Sequence, residues 1–192
     1  MNSSPVMVRA SRDDDVAAML AIYRDHIARG VEQAFAYDPE ALDPDDLKRR
    51  RRNMRKQRLP HLVADRDGEV VGYAYAVLFR KRPAYRYTLK HSIYVHPEHL
   101  HSGIGRALLP ALIDACAAAG YRQLIGYIDA ANSPSIGLHK SCGFKEIGFL
   151  PSVGYKFGHW TDVVMMQRSL GSGNATAPDV WLAVPADEES RT

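Results

Sequence analysis

Hydrophobic residues near the start of the chain recur at helical spacing. The positions that lie three or four residues apart are Val16, Met19, Leu20, Tyr23 and Ile27. Such spacing predicts a helix with one apolar stripe facing a core. Ser11 is a candidate N-cap ahead of the acidic residues 13–15, and Gly30 ends the pattern. A short strand at 6–9 precedes this helix, and a second helix is predicted to start at 43–44, where proline suits the first helical position.

The middle of the chain alternates apolar and polar positions, which is typical of strands. The predicted strands are 61–64, 69–79 and 85–95. The first two form a hairpin, because Arg-Asp-Gly at 66–68 is turn chemistry, and Pro97 stops the third. The later elements are a helix through Ala119, a strand at 124–128, a short helix at 134–142 and closing strands at 147–153 and 163–170. The order β-α-α-β-β-β-α-β-α-β-β predicts an α/β fold with helices packed on the faces of a sheet.

Length and composition fit one globular domain with a short tail. The 192 residues are predicted to form a single domain over 1–170, and Gly, Ser, Ala, Pro and acidic residues predict a flexible tail over 171–192. The only cysteines are Cys116 and Cys142, and residues 1–10 lack the apolar core of a secretory signal. No apolar run reaches the ~20 residues of a membrane helix. A cytoplasmic protein without a membrane partner is therefore expected.

One local charge pattern stands out against a net charge of +3. Residues 48–52 are five consecutive basic residues, Lys48 to Arg52, and Arg55, Lys56 and Arg58 follow. They form either a solvated helix face or a docking strip for phosphates or nucleic acid. The acidic residues at 43, 45 and 46 suit a helix N-terminus and favour the first interpretation, so nucleic acid is not the expected partner.

The strongest chemical pattern is a strand that ends in a glycine-containing loop and a helix. It runs from Ile93 to Arg106 and contains Gly103 and Gly105. Exposed N–H groups at a helix N-terminus bind phosphates, and glycine permits close approach of the backbone. A lone pair of glycines is also consistent with a structural turn.

Further segments at matching spacing turn this pattern into a family resemblance. They are 87–95 (Tyr-Thr-Leu-Lys-His-Ser-Ile-Tyr-Val), 132–144 (Asn-Ser-Pro to Cys-Gly-Phe) and 154–162 (Gly-Tyr-Lys to Thr-Asp). Together with the glycine loop, they resemble the GNAT superfamily of N-acetyltransferases, in its phosphinothricin and methionine-sulfoximine acetyltransferase branch. The resemblance extends from about Val8 to Leu170. It implies a mixed, mostly antiparallel central sheet with helices on both faces and a splayed parallel strand pair that holds CoA.

The resemblance also implies acetyl-CoA as co-substrate, no metal, a homodimer, and a set of cofactor contacts. Backbone groups at the end of the strand would pair with pantetheine, N–H groups of the loop would hold the pyrophosphate, and two side chains would contact the rest of the cofactor. These residues are, in order, Ile93, Tyr94 and Val95; His101, Ser102, Gly103, Ile104, Gly105 and Arg106; and Asn132 and Ser141. The family loop usually begins Gln-Arg or Gln-Gly, whereas this chain has Leu100-His101.

The catalytic residues implied by the resemblance include one departure. The branch usually carries a glutamate base where this chain has Lys90, which could act as a base only if burial made it neutral, or be a positional variant without that role. Ser92 and Tyr94 share its face of the strand and are candidates to hold a water, whereas alternation points His91 to the opposite face. His139 is a candidate general acid, or alternatively a packed helix histidine.

Acceptor contacts are expected from two loops. Phe35 with Pro39 resembles one family loop, and Arg80, Arg82 and Tyr85 resemble another, where arginines suit a carboxylate or phosphinate. Lys156 and Trp160 are placed either in the acceptor pocket or at a subunit contact. A metal site built from histidines 91, 96, 99 and 101 is rejected, because no Cys or carboxylate completes a familiar ligand spacing.

The expected activity is direct acetyl transfer to the amino group of a small amino-acid-like molecule. Phosphinothricin and methionine sulfoximine or sulfone are the expected acceptors, with a peptide or protein amine as the rival. Lys90 keeps open a second class, a CoA-binding module that has lost catalysis. The basic run keeps open a third, a nucleic-acid-binding protein.

Overall fold

The fold is an α/β sheet flanked by helices, seen in a computed structural model that describes residues 4–29, 43–179 and 182. Its strands are β1 (Met7–Ala10), β2 (His61–Arg66), β3 (Glu69–Leu78), β4 (Thr88–Val95), β5 (Gln123–Asp129), β6 (Lys145–Lys156) and β7 (His159–Ser169). Its helices are α1 (Val16–Ala28), α2 (Pro44–Lys56), α3 (Ile104–Ala118) and α4 (Ser133–Ser141). The predicted order of elements is confirmed. Phe35 and Pro39 lie outside the described residues.

All seven strands form one sheet, in the order β1-β2-β3-β4-β5-β7-β6. Neighbouring strands run antiparallel except β4 and β5, which are parallel and joined through α3. The last of the described strands, β7, pairs with β5 on one side and β6 on the other. The prediction of a mixed, mostly antiparallel sheet is therefore confirmed.

Two hydrophobic clusters cover the two faces of this sheet. Adjacent strand residues belong to different clusters: Val63 packs with α1, and Ala64 packs with α3. Because successive strand residues point to opposite faces, α1 and α3 lie on opposite sides of the sheet. Leu108, Leu109 and Leu112 of α3 are fully buried in the larger cluster. The expectation of helices on both faces is confirmed.

Three local predictions need correction. Ser11 does not cap α1; a 3-10 turn at Asp13–Asp15 precedes this helix, and the Asp15 carboxylate accepts the Arg12 N–H at 2.6 Å. The strand predicted from residue 85 starts at Thr88, because Pro83–Tyr85 forms another 3-10 turn. The closing strands are longer than predicted and meet in a tight turn after residue 156.

The basic run lies on α2 and is paired with aspartates. Within the helix, Lys48 contacts Asp45, while Arg49 and Arg50 contact Asp46. Across to the 3-10 turn, Arg51 and Arg52 both contact Asp13.

Arg51 is buried, unlike the rest of this run, so the interpretation of the run as a solvated helix face does not apply to it. It is only 5% exposed, and its guanidinium donates to the carbonyl of Ser11 at 2.8 Å. The run therefore fastens α2 to the start of α1, and each of its five cations contacts one of three aspartates.

The start of the predicted tail contacts the domain. Arg122 donates to the carbonyl of Ala177 at 3.4 Å, and Leu182 is 9% exposed and packs in the larger core cluster. The domain boundary at residue 170 and the flexible tail remain predictions. Among the described segments, no helix is long and apolar enough to cross a membrane.

Arg9 links three elements at one edge of the sheet. Its guanidinium donates to Asp15 at 2.8 Å and to Asp65 at 2.9 Å, which ties β1 to the 3-10 turn and to β2. Burial would raise the pKa of Asp15, but the hydrogen bonds and charges of Arg9 and Arg12 outweigh burial and hold that pKa below its ordinary value.

Replacing Asp15 should make the fold less stable in a pH-dependent way. Asp15→Asn removes the charge that Arg9 contacts, and we expect a loss of about 2–3 kcal/mol in the free energy of unfolding at neutral pH. A depressed pKa contributes stability above the unfolded value of about 3.9, and this is lost as pH falls through the folded pKa. Urea unfolding at several pH values should show the difference from wild type shrinking below about pH 4.

Asp14→Asn is the matched control, because Asp14 is the exposed neighbour. It should leave the free energy of unfolding within about 0.5 kcal/mol of wild type. Equal effects of the two substitutions would contradict a stabilising role for the Arg9–Asp15 contact.

Candidate active site

The parallel strands β4 and β5 separate partway along their length. Their pairing runs from Thr88 opposite Gln123 to His91 opposite Gly126 and then stops. Both strands continue, β4 to Val95 and β5 to Asp129. The predicted splay is therefore present.

A cavity opens where the two strands part. It is lined by His26, His91, Ser92, Ile93, Gly126, Tyr127, Ile128, Asp129, Asn132, Ser135 and His139. The lining combines α1, both parting strands and α4 with its N-cap residue. Four predicted site or water-holding residues are brought together here: Ser92, Ile93, Asn132 and His139.

Two of the lining histidines contact each other directly. The Nε2 atoms of His91 and His139 are 2.9 Å apart. Nδ1 of His91 lies 3.0 Å from the carbonyl of Ile125, and Nδ1 of His139 lies 2.7 Å from the carbonyl of Ser135. Every ring nitrogen of the pair therefore has a polar partner within hydrogen-bond distance.

Burial controls the charge of this pair. His91 is 8% exposed, His139 is 2% exposed, and the Phe144 ring packs against both with centroids 5.3 and 5.0 Å away. Burial, with a further contribution from His139, lowers the pKa of His91 to about 3. Burial also lowers the pKa of His139, against the opposing hydrogen bond to Ser135.

Gly126 provides the space that the histidine pair occupies. A Cβ atom at this position would lie 3.0 Å from Cε1 of His91 and 3.5 Å from Nε2 of His139. The first distance is tighter than ordinary van der Waals contact. A larger residue here would press on both rings.

His26 brings a third imidazole to the cavity from α1. Its Nε2 lies 2.9 Å from the carbonyl of Val95, to which it donates. Burial lowers the pKa of His26, and the hydrogen bond to Val95 acts in the opposite direction. The carbonyl of Val95, expected to face pantetheine, is thus already hydrogen-bonded within the chain.

Lys90 and Tyr94 lie on the α1 face of β4. Tyr94 is 2% exposed and stacks on Tyr73 with ring centroids 4.7 Å apart. Lys90 is half-buried and has the same parity along the strand as Tyr94. Neither is among the cavity-lining residues, whereas Ser92 between them is. Their catalytic roles remain predictions.

The loop before α3 presents an exposed helix N-terminus. The first helical hydrogen bond runs from the Ala107 N–H to the Gly103 carbonyl at 3.0 Å, so the N–H groups of residues 104–106 precede it. Gly103 has a φ of 83°, and His101 has a φ of 59°. The Ser102 hydroxyl donates to the His99 carbonyl at 2.5 Å. The side chain of Ile104 is buried, so only its backbone belongs to this exposed turn.

Glycine is needed at the two positions of the loop for different structural reasons. Gly103 sits at a positive φ with open space around it, so its backbone torsion favours glycine. A Cβ on Gly105 would lie 2.9 Å from Cδ2 of Leu138, so its small size allows α3 to approach α4. Arg106, next in the chain, is exposed.

Polar residues at the other end of the cavity are already engaged. The side-chain oxygen of Asn132 caps α4 by accepting the Ser135 N–H at 3.1 Å, which leaves its NH₂ group outside that bond. Asp129 forms an ion pair with Lys156 at 2.7 Å, and both side chains are largely buried. The Ser141 hydroxyl donates to the Leu138 carbonyl at 2.7 Å and does not line the cavity.

The predicted acceptor loop lies between β3 and β4. The guanidinium of Arg80 stacks over Phe79 and Tyr85, at 5.3 and 6.0 Å from the ring centroids. Arg82 immediately precedes the 3-10 turn. None of these side chains is among the residues that line the cavity.

Seven of the eleven residues that line the cavity were not predicted from the sequence: His26, His91, Gly126, Tyr127, Ile128, Asp129 and Ser135. The alternation argument placed His91 correctly on the face opposite Lys90. It gave no sign that α4 would bring His139 onto that same face. Across the part of the chain that the structure describes, no cluster of three or more His, Cys, Asp or Glu side chains is arranged to hold a metal.

Comparisons with known proteins agree on one family. Residues 29–144 match the Acetyltransferase (GNAT) family. The chain is 46% identical over 175 residues to phosphinothricin N-acetyltransferase of Alcaligenes faecalis, covering 90% of this chain and 86% of the relative. It is 35% identical over 172 residues to L-methionine sulfoximine/L-methionine sulfone acetyltransferase of Salmonella typhimurium, covering 90% and 98%.

A solved structure gives the same result in three dimensions. The crystal structure of a GNAT superfamily phosphinothricin acetyltransferase from Sinorhizobium meliloti, in complex with AcCoA, superposes with a TM-score of 0.85. The identity is 38%, and the match covers 92% of this chain and 95% of the other.

Proposed function

Because the chain belongs to the GNAT family of acetyltransferases, we propose that it transfers the acetyl group of acetyl-CoA to a small amino-acid-like amine. Two of its relatives are named for the acceptors phosphinothricin, methionine sulfoximine and methionine sulfone, and we propose acceptors of this class. The observation that carries this proposal is the parting of β4 and β5 next to the exposed N-terminus of α3.

The chain has the groups that acetyl-CoA requires. The pyrophosphate is anionic, and the N–H groups of residues 104–106 form a helix terminus with a partial positive charge. The pantetheine arm carries amides, which suit the backbone of β4 beyond His91 and the NH₂ group of Asn132. The thioester would then lie in the cavity beside His139, and acetyl-CoA supplies the activated acetyl group.

The transfer proceeds by direct attack of the amine, without an acetylated residue. The acceptor nitrogen must lose a proton to attack, and the departing sulfur gains from a proton donor. We assign proton donation at the sulfur to His139 and the holding of a water to Ser92. For the acceptor's acidic group we propose Arg80 and Arg82, with Tyr85 stacked on Arg80.

A cytoplasmic location is part of the proposal. Cys116 and Cys142 are both free thiols, which suits a reducing compartment.

An acceptor panel tests the proposed function. Wild-type protein should release CoA thiol from acetyl-CoA when given phosphinothricin, methionine sulfoximine or methionine sulfone. Gly103→Val should raise the Kd for acetyl-CoA about tenfold, because a left-handed residue other than glycine costs about 1–2 kcal/mol, and relief of that strain shifts the loop proposed to hold the pyrophosphate. Acetyl-CoA affinity is measured by calorimetry and turnover by thiol release.

Gly120→Val is the matched control, since Gly120 has a φ of 93° just beyond the opposite end of α3. It should lower stability but leave the affinity of the folded protein for acetyl-CoA unchanged. Binding of acetyl-CoA without turnover of any acceptor would instead indicate a CoA-binding module without catalysis, the class that Lys90 favours.

Reversing the charge at Lys90 should change turnover. Lys90 lies on the strand face shared with Ser92, where a cation repels an incoming ammonium. Lys90→Glu replaces this cation with a carboxylate. Two unit charges at ~4 Å interact by ~4 kcal/mol at an effective dielectric near 20. Even if solvent screens most of this energy, reversing the charge should change the rate about tenfold. We expect kcat/KM for the amino-acid acceptors to rise about tenfold, with a changed pH profile.

Lys145→Glu is the control for net charge, because Lys145 is exposed at the start of β6. Kinetics of both variants from about pH 6 to 10 would decide. Identical rates, pH profiles and acceptor ranking for Lys90→Glu and wild type would place Lys90 outside the active site.

We also propose that the protein is a homodimer through the β6–β7 hairpin. Large apolar side chains on this hairpin are more than 48% exposed: Ile147, Phe149, Val153, Tyr155, Phe157 and Trp160. A concentration of exposed apolar side chains on one hairpin marks an interaction site, and a second copy of the chain supplies a matching surface.

The assembly should respond to a charge on this surface. Light scattering of wild type should give twice the chain mass of 21.4 kDa at micromolar concentration. Trp160→Glu should shift it to monomer, because a carboxylate would be buried without a partner. Met7→Glu, at an equally exposed apolar residue on the far edge strand β1, should remain dimeric. A monomeric wild type would refute the dimer.

A further inference from the structure

We propose that His91 and His139 act as one proton-holding unit, in which His91 is a positioning residue that shares a proton with His139. This inference rests on the proposed acetyl transfer and extends it to a residue on the strand face opposite Lys90. It stands on the contacts of the two rings and on the space above Gly126.

The geometry of the pair requires three protons. Carbonyl oxygens only accept hydrogen bonds, so Nδ1 of His91 and Nδ1 of His139 must each carry a proton to donate to Ile125 and Ser135. The Nε2–Nε2 contact of 2.9 Å needs one more proton between the rings. Two neutral imidazoles carry only two protons, so all three hydrogen bonds form only when the pair holds one additional proton.

Burial opposes that additional proton. Placing a positive charge among buried groups is unfavourable, and this effect lowers the pKa of both rings. In the neutral pair, either two Nε2 lone pairs face each other or one Nδ1 faces a carbonyl without a proton. The neutral pair is thus ready to accept a proton, and the charged pair is ready to release one.

The charged and titratable groups around the pair are few. His26 faces the same cavity from α1, Tyr127 and Asp129 face it from β5, and Lys156 balances the charge of Asp129. Phe144 covers the rings on the remaining side. The protonation of the pair therefore depends mainly on burial and on the contact between the two rings.

Because Gly126 has no side chain, the Nε2 atoms of His91 and His139 are open to the cavity. The position of an added Cβ lies 3.5 Å from Nε2 of His139, and Gly126 itself lines the cavity with both histidines. A proton can therefore reach the Nε2–Nε2 contact from this space. Lys90, which stands where the family has its base, does not line the cavity.

The proton count of the reaction suits such a unit. A carbon–nitrogen bond forms to the acetyl carbon, and the carbon–sulfur bond of the thioester breaks. The ammonium nitrogen gives up two protons: one leaves to solvent before attack, and the second passes to Nε2 of the pair. The pair then donates this proton to the departing sulfur and returns to its neutral state.

His91→Phe tests this assignment, because it keeps a ring but removes the nitrogen that shares the proton. We expect kcat to fall on the order of 10- to 100-fold, with the KM of both substrates within about twofold. The acidic limb of the kcat profile should move to lower pH, because protonated His139 loses its acceptor. His91→Gln should recover part of kcat, since its carboxamide oxygen accepts the Nε2 proton of His139.

Two matched controls separate this effect from loss of packing. His61→Gln removes a half-buried imidazole that stacks on Tyr75 and lies outside the cavity lining, and it should keep the wild-type pH profile. Gly126→Ala should lower kcat with both histidines present, whereas Gly137→Ala on α4 should not, because a Cβ there meets nothing within 4 Å.

Nitrogen-15 NMR of the histidine rings measures the protonation of His91 and His139 in the protein without substrate. Both Nδ1 atoms should stay protonated while the pair takes up one proton, and His139 should titrate at lower pH in His91→Phe. An active wild type whose kcat, pH profile and His139 titration are unchanged by His91→Phe would overturn this inference alone. A wild type that acetylates no acceptor would overturn the proposed function.

Discussion

The hydrogen-bonded ladder between β4 and β5 ends after four residue pairs, and the candidate site depends on that early end. A parallel pair that continued to Val95 would use the backbone groups that now border the cavity. Instead, the strands diverge while α3 and α4 start from their ends. The exposed helix N-terminus, the capped turn at Asn132 and the histidine pair are all positioned around this one opening.

The architecture was largely readable from the sequence, because its elements carry strong local signals. Three local signals marked elements that the structure contains: the Arg-Asp-Gly turn at 66–68, the apolar stripe of α1 and the proline at the start of α2. Errors arose where competing local chemistry decided. Arg12 and Asp15, rather than Ser11, organise the start of α1, and the proline at 83 forms a 3-10 turn before β4 can begin.

The candidate site was readable only in part, since its contacts join distant segments. His139, Asn132 and Ile93 were found through family resemblance, and all three line the cavity. Strand alternation assigned His91 to the correct face but carries no information on which helix covers that face. The same limit applies to Lys156, whose ion pair with Asp129 joins β6 to the end of β5, two strands that β7 separates in the sheet.

The position of β7 has a consequence for how the chain acquires its structure during synthesis. This strand lies between β5 and β6, although among the described strands it is the last to leave the ribosome. Until residues 159–169 emerge, β5 presents an open edge and β6 has no neighbour in the sheet. The growing chain must therefore carry an incomplete sheet through most of its translation, and a transcript truncated before β7 would yield a product prone to edge-to-edge aggregation.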